Sequence, residues 1–349
     1  MKKCVLILLV LCLANIGFTI KLADLPTLER PALIKVEGDE LFVADGHTIH
    51  VYSLKNYQLK FKLGKRGEGP GEFKYQPGIN ILPDHLLITS GRYCVWFSRD
   101  GKMVKDKKTV GRKYFPIPVK ENYAALKLGF DIQTEKMTRI YILLNPQLEE
   151  IKEVYKLVAD VNILNPNDPP TKEYKMLLHY NGVCCHDDKI FIADTQKGFF
   201  IDVFDFNGKH LYTIDKNSEV EKVTVSDSYK KRCLDMFKII QKDIWERRNK
   251  SSFTFYKYFP SFESFLVDNK KIYVITYKEK GDKNEIIILD LKGNILDRVF
   301  VPLKSKRIFK FSGEYDPNTV HKGRLYEIIE NDETEMWELH KTDLSSVKE

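Results

Sequence analysis

The sequence predicts an all-β chain, a six-bladed β-propeller of four-stranded antiparallel blades. Three observations carry this. A strand–turn–strand pattern recurs about every 50 residues, as in propeller blades. A shared Gly turn follows the second strand in several copies. Aromatic residues make up 12% of the chain, with 18 Tyr and 21 Phe, types enriched in strands.

Taken in chain order, Met1-Lys2-Lys3 is a basic start. Cys4 to Ala14 is an apolar run of about eleven residues, the length of a secretory h-region. Residues 1–20 are expected to be a signal peptide, cleaved after Ala14 or Thr19. An uncleaved anchor is the alternative, because Cys4 to Ile20 reaches the lower limit of a membrane span. Leu11 before Cys12 departs from a lipoprotein signal. The protein is therefore expected in the periplasm, at the cell surface or secreted, with membrane contact only through a retained anchor.

Residues 21–349 are assigned to the propeller. Leu41-Phe42-Val43-Ala44-Asp45 followed by Ile49-His50-Val51-Tyr52 makes the first strand pair. Weaker copies start at Leu86 and Ala124. Ile190 to Asp194 with Ile201 to Asp205 is the fourth copy, and Ile272 to Thr276 with Ile286 to Asp290 the fifth. The sixth starts at Leu325. Turns at Asp100-Gly101-Lys102, Asn207-Gly208-Lys209 and Lys292-Gly293-Asn294 favour hairpins, since Gly, Asn and Asp tolerate positive φ. The fourth and fifth copies are separated by about 30 residues more than the others. That excess predicts a helical insertion at about 218–252. It opens on Ser226-Asp227-Ser228, good N-cap chemistry. Cys233, Phe237, Ile240 and Ile244 then fall on one helix face.

After Met336 to His340 too little chain remains for a fourth strand in the sixth blade. The stretch from Phe18 to Leu28 is predicted to supply it, so that the N-terminus closes the last blade and leaves no exposed sheet edge there.

The first copy leads into Gly64-Lys65-Arg66-Gly67-Glu68-Gly69-Pro70-Gly71-Glu72-Phe73. Through this connector, and through Tyr258-Phe259-Pro260-Ser261-Phe262 ahead of Lys271 to Val274, the chain resembles bacterial exported six-bladed β-propellers related to NHL-repeat proteins. The resemblance implies the propeller fold over nearly all of the mature chain. Most such proteins have no assigned activity, so it implies little about function. The connector lacks the Gly-Lys-Ser/Thr of a phosphate loop, and its glycines are read as shaping a tight turn between blades.

With 56 Lys+Arg against 49 Asp+Glu, the formal charge of +7 is spread over both signs. No stretch is basic enough for a dedicated nucleic-acid binder, and a monomer is expected. The chain has no H-E-x-x-H and no G-x-S-x-G. Its histidines have no metal spacing: His47 and His50 read as a solvated turn and an outward strand position. Cys94, Cys184, Cys185 and Cys233 read as free thiols in apolar positions. His186, Asp187 and Asp188 form the best polar cluster for a binding site, against an ordinary turn. The basic insertion, with Lys230, Lys231, Arg232, Lys238, Lys242, Arg247 and Arg248, reads as a solvated face. The aromatic run Phe253, Phe255, Tyr256, Tyr258, Phe259, Phe262 and Phe265 reads as blade core.

The reading reached is an exported, non-enzymatic module binding a protein, glycan or small molecule, without a cofactor. The alternative is a lactonase-like hydrolase or lyase holding Ca or Zn through dispersed channel ligands, which spacing cannot reveal.

Overall fold

A computed structural model describes residues 19–108, 115–131, 136–158, 173–176, 179–246, 252–305 and 316–345. The expected signal segment up to residue 18 and the end of the insertion, Arg247 to Ser251, lie outside them.

The described residues form six four-stranded antiparallel sheets, the blades of a six-bladed β-propeller. After β1 (Thr19–Asp24), the first blade takes β2 (Pro31–Glu37), β3 (Glu40–Asp45), β4 (Thr48–Ser53) and β5 (Leu59–Leu63). The second takes β6 (Gly78–Ile81), β7 (His85–Ser90), β8 (Tyr93–Ser98) and β9 (Met103–Lys108). The third takes β10 (Ile117–Val119), β11 (Asn122–Asp131), β12 (Lys136–Leu144) and β13 (Glu150–Val158). After the short β14 (Tyr174–Lys175), the fourth takes β15 (Val183–His186), β16 (Lys189–Ala193), β17 (Phe200–Asp205) and β18 (His210–Asp215). After β19 (Phe253–Thr254), the fifth takes β20 (Ser264–Asp268), β21 (Lys271–Lys280), β22 (Lys283–Asp290) and β23 (Ile295–Val301). The sixth takes β24 (Asn318–His321), β25 (Arg324–Glu330) and β26 (Trp337–Asp343), and is completed by β1.

Two compact units carry these sheets. One spans residues 1–108, 264–306 and 315–349 and holds the first, second, fifth and sixth blades. The other spans 109–263 and 307–314 and holds the third and fourth.

Within the first unit, the inner strands are continuous apolar runs because both faces are covered, which removes any need for alternation. One face of the first blade packs Phe42, Ile49 and Val51 against Ile79, Leu86 and Val95 of the second. Its other face packs Ile34, Leu41 and Val43 with Tyr326, Ile328 and Leu339 of the sixth. Tyr273 and Ile286 of the fifth meet Val320 and Leu325 of the sixth. In the second unit, Tyr141 and Leu143 meet Ile190 and Ile192. Outer strands read differently: β9 is exposed at every position.

The predicted closure is present. β1 pairs antiparallel with β26, from Thr19↔Thr342 to Asp24↔Glu338. Lys21 Nζ lies 2.7 Å from a Glu338 oxygen, adding a side-chain tie to the main-chain ladder.

The Gly-rich connector is the tight turn from β5 to β6. Gly64 has φ of +72°, and a Cβ there would lie 2.1 Å from the Phe73 ring. Phe73 is fully buried in the core between the first two blades. Glu72 folds inward: its carboxylate accepts the Gly69 N–H at 2.9 Å and sits 3.1 Å from Lys65.

Three expectations are corrected. The insertion forms α1 (Asp227–Ile240), with the Ser226 side chain accepting the Tyr229 N–H, and α2 (Lys242–Glu246). α1 buries Cys233 and Phe237 as expected, but Ile240 is 43% exposed. The helix ends there, and Trp245 of α2 turns in to stack on Phe253 at 5.3 Å. Secondly, the aromatic run is not all blade core. Phe262 and Phe265 are buried, but Phe253 belongs to β19, which pairs parallel with β14. With Tyr174, Met176 and Phe237 it forms a separate small core, while Tyr258 is exposed. Thirdly, His50 does not face outward. It is 3% exposed because Thr27 and Glu29, from the segment between β1 and β2, fold over its end of the blade.

Candidate functional site

The first unit carries a groove of about 250 Å³ where the sixth blade meets the first. It is assembled from turns and strand ends of five segments. Gly38 and Asp39 come from the β2–β3 turn, and Leu54 and Tyr57 from the β4–β5 turn. His321 ends β24, Lys322 comes from the β24–β25 turn, Arg324 and Tyr326 from β25, Lys341 from β26 and Leu22 from β1.

Local chemistry sets each part. The β24–β25 hairpin closes on the pair His321↔Arg324, leaving Lys322 and Gly323 as a two-residue turn at φ of 51° and 73°. Positive φ at both positions matches the twist of paired strands. Asp268 pins this turn by accepting the Lys322 N–H at 2.6 Å. Tyr326 and Lys341 are direct cross-strand partners, so their side chains stand on one face. The β4–β5 turn is held by Tyr57 N–H to the Ser53 carbonyl at 2.8 Å. The Leu54 N–H ties it to the Asp39 carbonyl, also at 2.8 Å.

The groove is basic. Lys322 and Arg324 are exposed and Lys341 half-buried, and among the described residues none of the three is in an ion pair. The single lining carboxylate, Asp39, is engaged by Lys55 at 2.9 Å, which holds its pKa below the usual carboxylate range. Asp343, opposite Arg324 across the strand pair, accepts the Ser345 N–H and hydroxyl at 2.9 and 2.6 Å, and these bonds, with the nearby charges of Arg324 and Lys341, hold its pKa below the usual carboxylate range. His321 turns Nδ1 toward Asp268 at 3.6 Å; its Nε2 is shielded from solvent and has no hydrogen-bond partner among the described residues.

The cluster singled out from the sequence lies elsewhere. His186, Asp187 and Asp188 make the β15–β16 turn, with Asp187 at φ of 52°. Asp188 pairs with Lys189 at 2.8 Å, and His186 Nε2 lies 3.7 Å from Asp187. The groove uses the corresponding turn of the sixth blade, where His321-Lys322-Gly323-Arg324 stands in place of His186-Asp187-Asp188-Lys189. Its remaining residues have no local motif. The one sequence signal is the cationic hairpin itself.

A second polar cluster, in the second unit, is internally satisfied. The Tyr155 hydroxyl donates to Asp194 at 3.1 Å and accepts from Lys197 at 2.5 Å. Burial, reinforced by Asp194 and Asp202, pushes the Tyr155 pKa up. Asp202 accepts from Thr213 at 2.5 Å and lies 3.2 Å from His210. This lock ties β13 to the fourth blade and leaves few acceptors for a ligand. Among the described residues no group of three or more His, Cys, Asp or Glu could hold a metal ion. All four described cysteines are free, and burial pushes the Cys94 thiol up to about 12.

Fold and site together define a β-propeller with a basic groove at the seam of its closing blade. No family model matches the chain, and no curated protein matches it. Among solved structures, BamB from Moraxella catarrhalis aligns at 12% identity, over 88% of this chain and 71% of its own, with a TM-score of 0.32. The Neurospora crassa Pan2 WD40 domain aligns at 7% identity, over 95% and 96%, with a TM-score of 0.41. The AfRom2 CNH domain aligns at 11% identity, over 94% and 100%, with a TM-score of 0.43. Likeness at this level carries no argument here; the fold assignment rests on the six sheets and their order.

Proposed function

We propose that the chain is an exported, non-enzymatic binding module of the cell envelope, and that its ligand enters the groove between the sixth and first blades. The observation that carries the reading is the concentration of Lys322, Arg324 and Lys341 in a concave site where, among the described residues, none of the three is in an ion pair and the carboxylates acting on them, Asp39 and Asp343, are outnumbered. Like charges held together cost stability, so their convergence is better explained by a ligand than by folding. The turns around them are pinned by hydrogen bonds, which suits recognition on a rigid frame. Export is supported by the basic start and apolar run at the N-terminus.

The test is a thermal-shift screen of the full chain with neutral and anionic small molecules, followed by hydrogen exchange on each hit. A ligand stabilises the folded state by mass action wherever it binds, so location must be read separately. Slowed exchange at residues 37–40, 53–58 and 321–326 supports the groove. Hits that stabilise the protein but leave these segments unchanged assign the function to another surface.

A further inference from the structure

We propose that the ligand of this groove is a small molecule carrying a phosphate-type dianion, held by Lys322, Arg324 and Lys341 with Tyr57 as its aromatic wall. This rests on the groove being the ligand site. The charge balance selects the class. Three cations line the groove with Lys55 at its edge, against two carboxylates: Asp39, which Lys55 engages and Lys322 also acts on, and Asp343 beside Arg324 and Lys341, so positive charge is in excess by two. A phosphate monoester carries about −1.5 to −2 charges near neutral pH and three strong acceptor oxygens, enough for all three donors. A monocarboxylate offers one charge and two oxygens, and leaves the cluster under-compensated. A cationic ligand meets repulsion.

The donor chemistry agrees. Arg324 presents a planar fork that matches two phosphate oxygens at once, while Lys322 and Lys341 act as point charges that adapt to the third. The three come from both sides of one site: a turn, the strand that follows it, and the neighbouring strand β26. Size sets the rest. At about 250 Å³ the groove is just below the usual range of drug-sized pockets, so it takes a phosphate with a small appended ring and not a long polymer segment. Tyr57, half-buried at the groove, offers an apolar face with a polar tip on which such a ring can lie, while the buried Tyr326 reaches the groove only by an edge.

The experiment is isothermal titration of the full chain with inorganic phosphate, glucose 6-phosphate and glucose, at low and at physiological ionic strength. Saturable binding of the two phosphates is expected, weakening with salt, with none for glucose. Lys322→Gln, Arg324→Gln and Lys341→Gln should each lower phosphate affinity about tenfold, Arg324→Gln most. Lys102→Gln, at an exposed turn of the second blade, should leave it unchanged, and each variant should keep the wild-type melting temperature within a few degrees. Tighter binding of the ester than of the free ion, with the difference lost in Tyr57→Ala, identifies an ester ligand. Equal affinities identify a free-phosphate site. Phosphate binding indifferent to the three groove substitutions, or equally weakened by Lys102→Gln, overturns the proposal. Neutral compounds that protect the groove while neither phosphate binds also overturn it, but leave the groove itself standing as the ligand site.

Discussion

Two buried ionisable side chains give the protein opposite pH responses at the residue scale. His50 is held near Asp45 at 3.7 Å, but burial dominates and lowers its pKa below 6.5. The unfolded chain then binds the proton more readily, so this contribution is complete above pH 6.5 and lost as pH falls toward the depressed value. Wild-type protein should lose melting temperature from pH 7 to pH 5, and His50→Gln should flatten that slope. An unchanged slope in the variant would remove His50 as its source. Glu327 acts in the other direction. It is 1% exposed, accepts the Ser305 N–H and hydroxyl at 3.1 and 2.8 Å, and leaves Oε2 without a partner among the described residues. Burial raises its pKa above 4.5, so the folded state holds its proton longer and stability falls as pH rises from 4.5 through the raised value. Glu327→Gln should therefore gain stability relative to wild type at pH 8 and little at pH 4. A loss at pH 8 would show that the carboxylate is needed as an anion.

At the scale of elements, β1 is the decisive piece. It belongs to the sixth blade by pairing and to the N-terminus by sequence, so its removal leaves β26 as an open edge. Deleting residues 18–30 should lower the melting temperature by several degrees or more and promote aggregation, measured by thermal melts and light scattering. A truncated chain that melts at the wild-type temperature and stays monodisperse would contradict this role. The same deletion removes Leu22 from the groove and frees Lys341 from its neighbouring strand, which links closure to the proposed site. The helical insertion is less demanding. α1 is anchored through Cys233 and Phe237 on the small core with Phe253, outside every blade.

For the whole molecule, the choice between binder and enzyme turns on metal content. Protein purified without chelators should contain no stoichiometric Ca or Zn by elemental analysis, and chelation should leave its phosphate binding unaltered. Near-stoichiometric metal, lost together with a lactone-hydrolysing or lyase activity, would defeat the binding-module reading. Export has an equally direct check. N-terminal sequencing of protein from the native host should begin within residues 15–20, and recovery of intact Met1 from a soluble cytoplasmic fraction would refute it.

Blade number, strand pairs and the donation of the first strand to the last blade were legible in the amino-acid sequence. The reason is physical: strands covered on both faces must be apolar throughout, and hairpins that need positive φ select Gly, Asn or Asp at fixed offsets. Such signals are local, and six copies reinforce one another. The groove was not legible, because Leu22, Asp39, Tyr57, Arg324 and Lys341 are scattered from one end of the chain to the other. Nor was the burial of His50, which depends on a segment some twenty residues earlier folding over it. The aromatic run after residue 252 looked like blade core, since hydrophobic periodicity does not say which partner an aromatic face will meet. Local pattern thus decided which elements form, while the packing of blades one and six alone decided which charges converge, because that convergence joins side chains no local pattern connects.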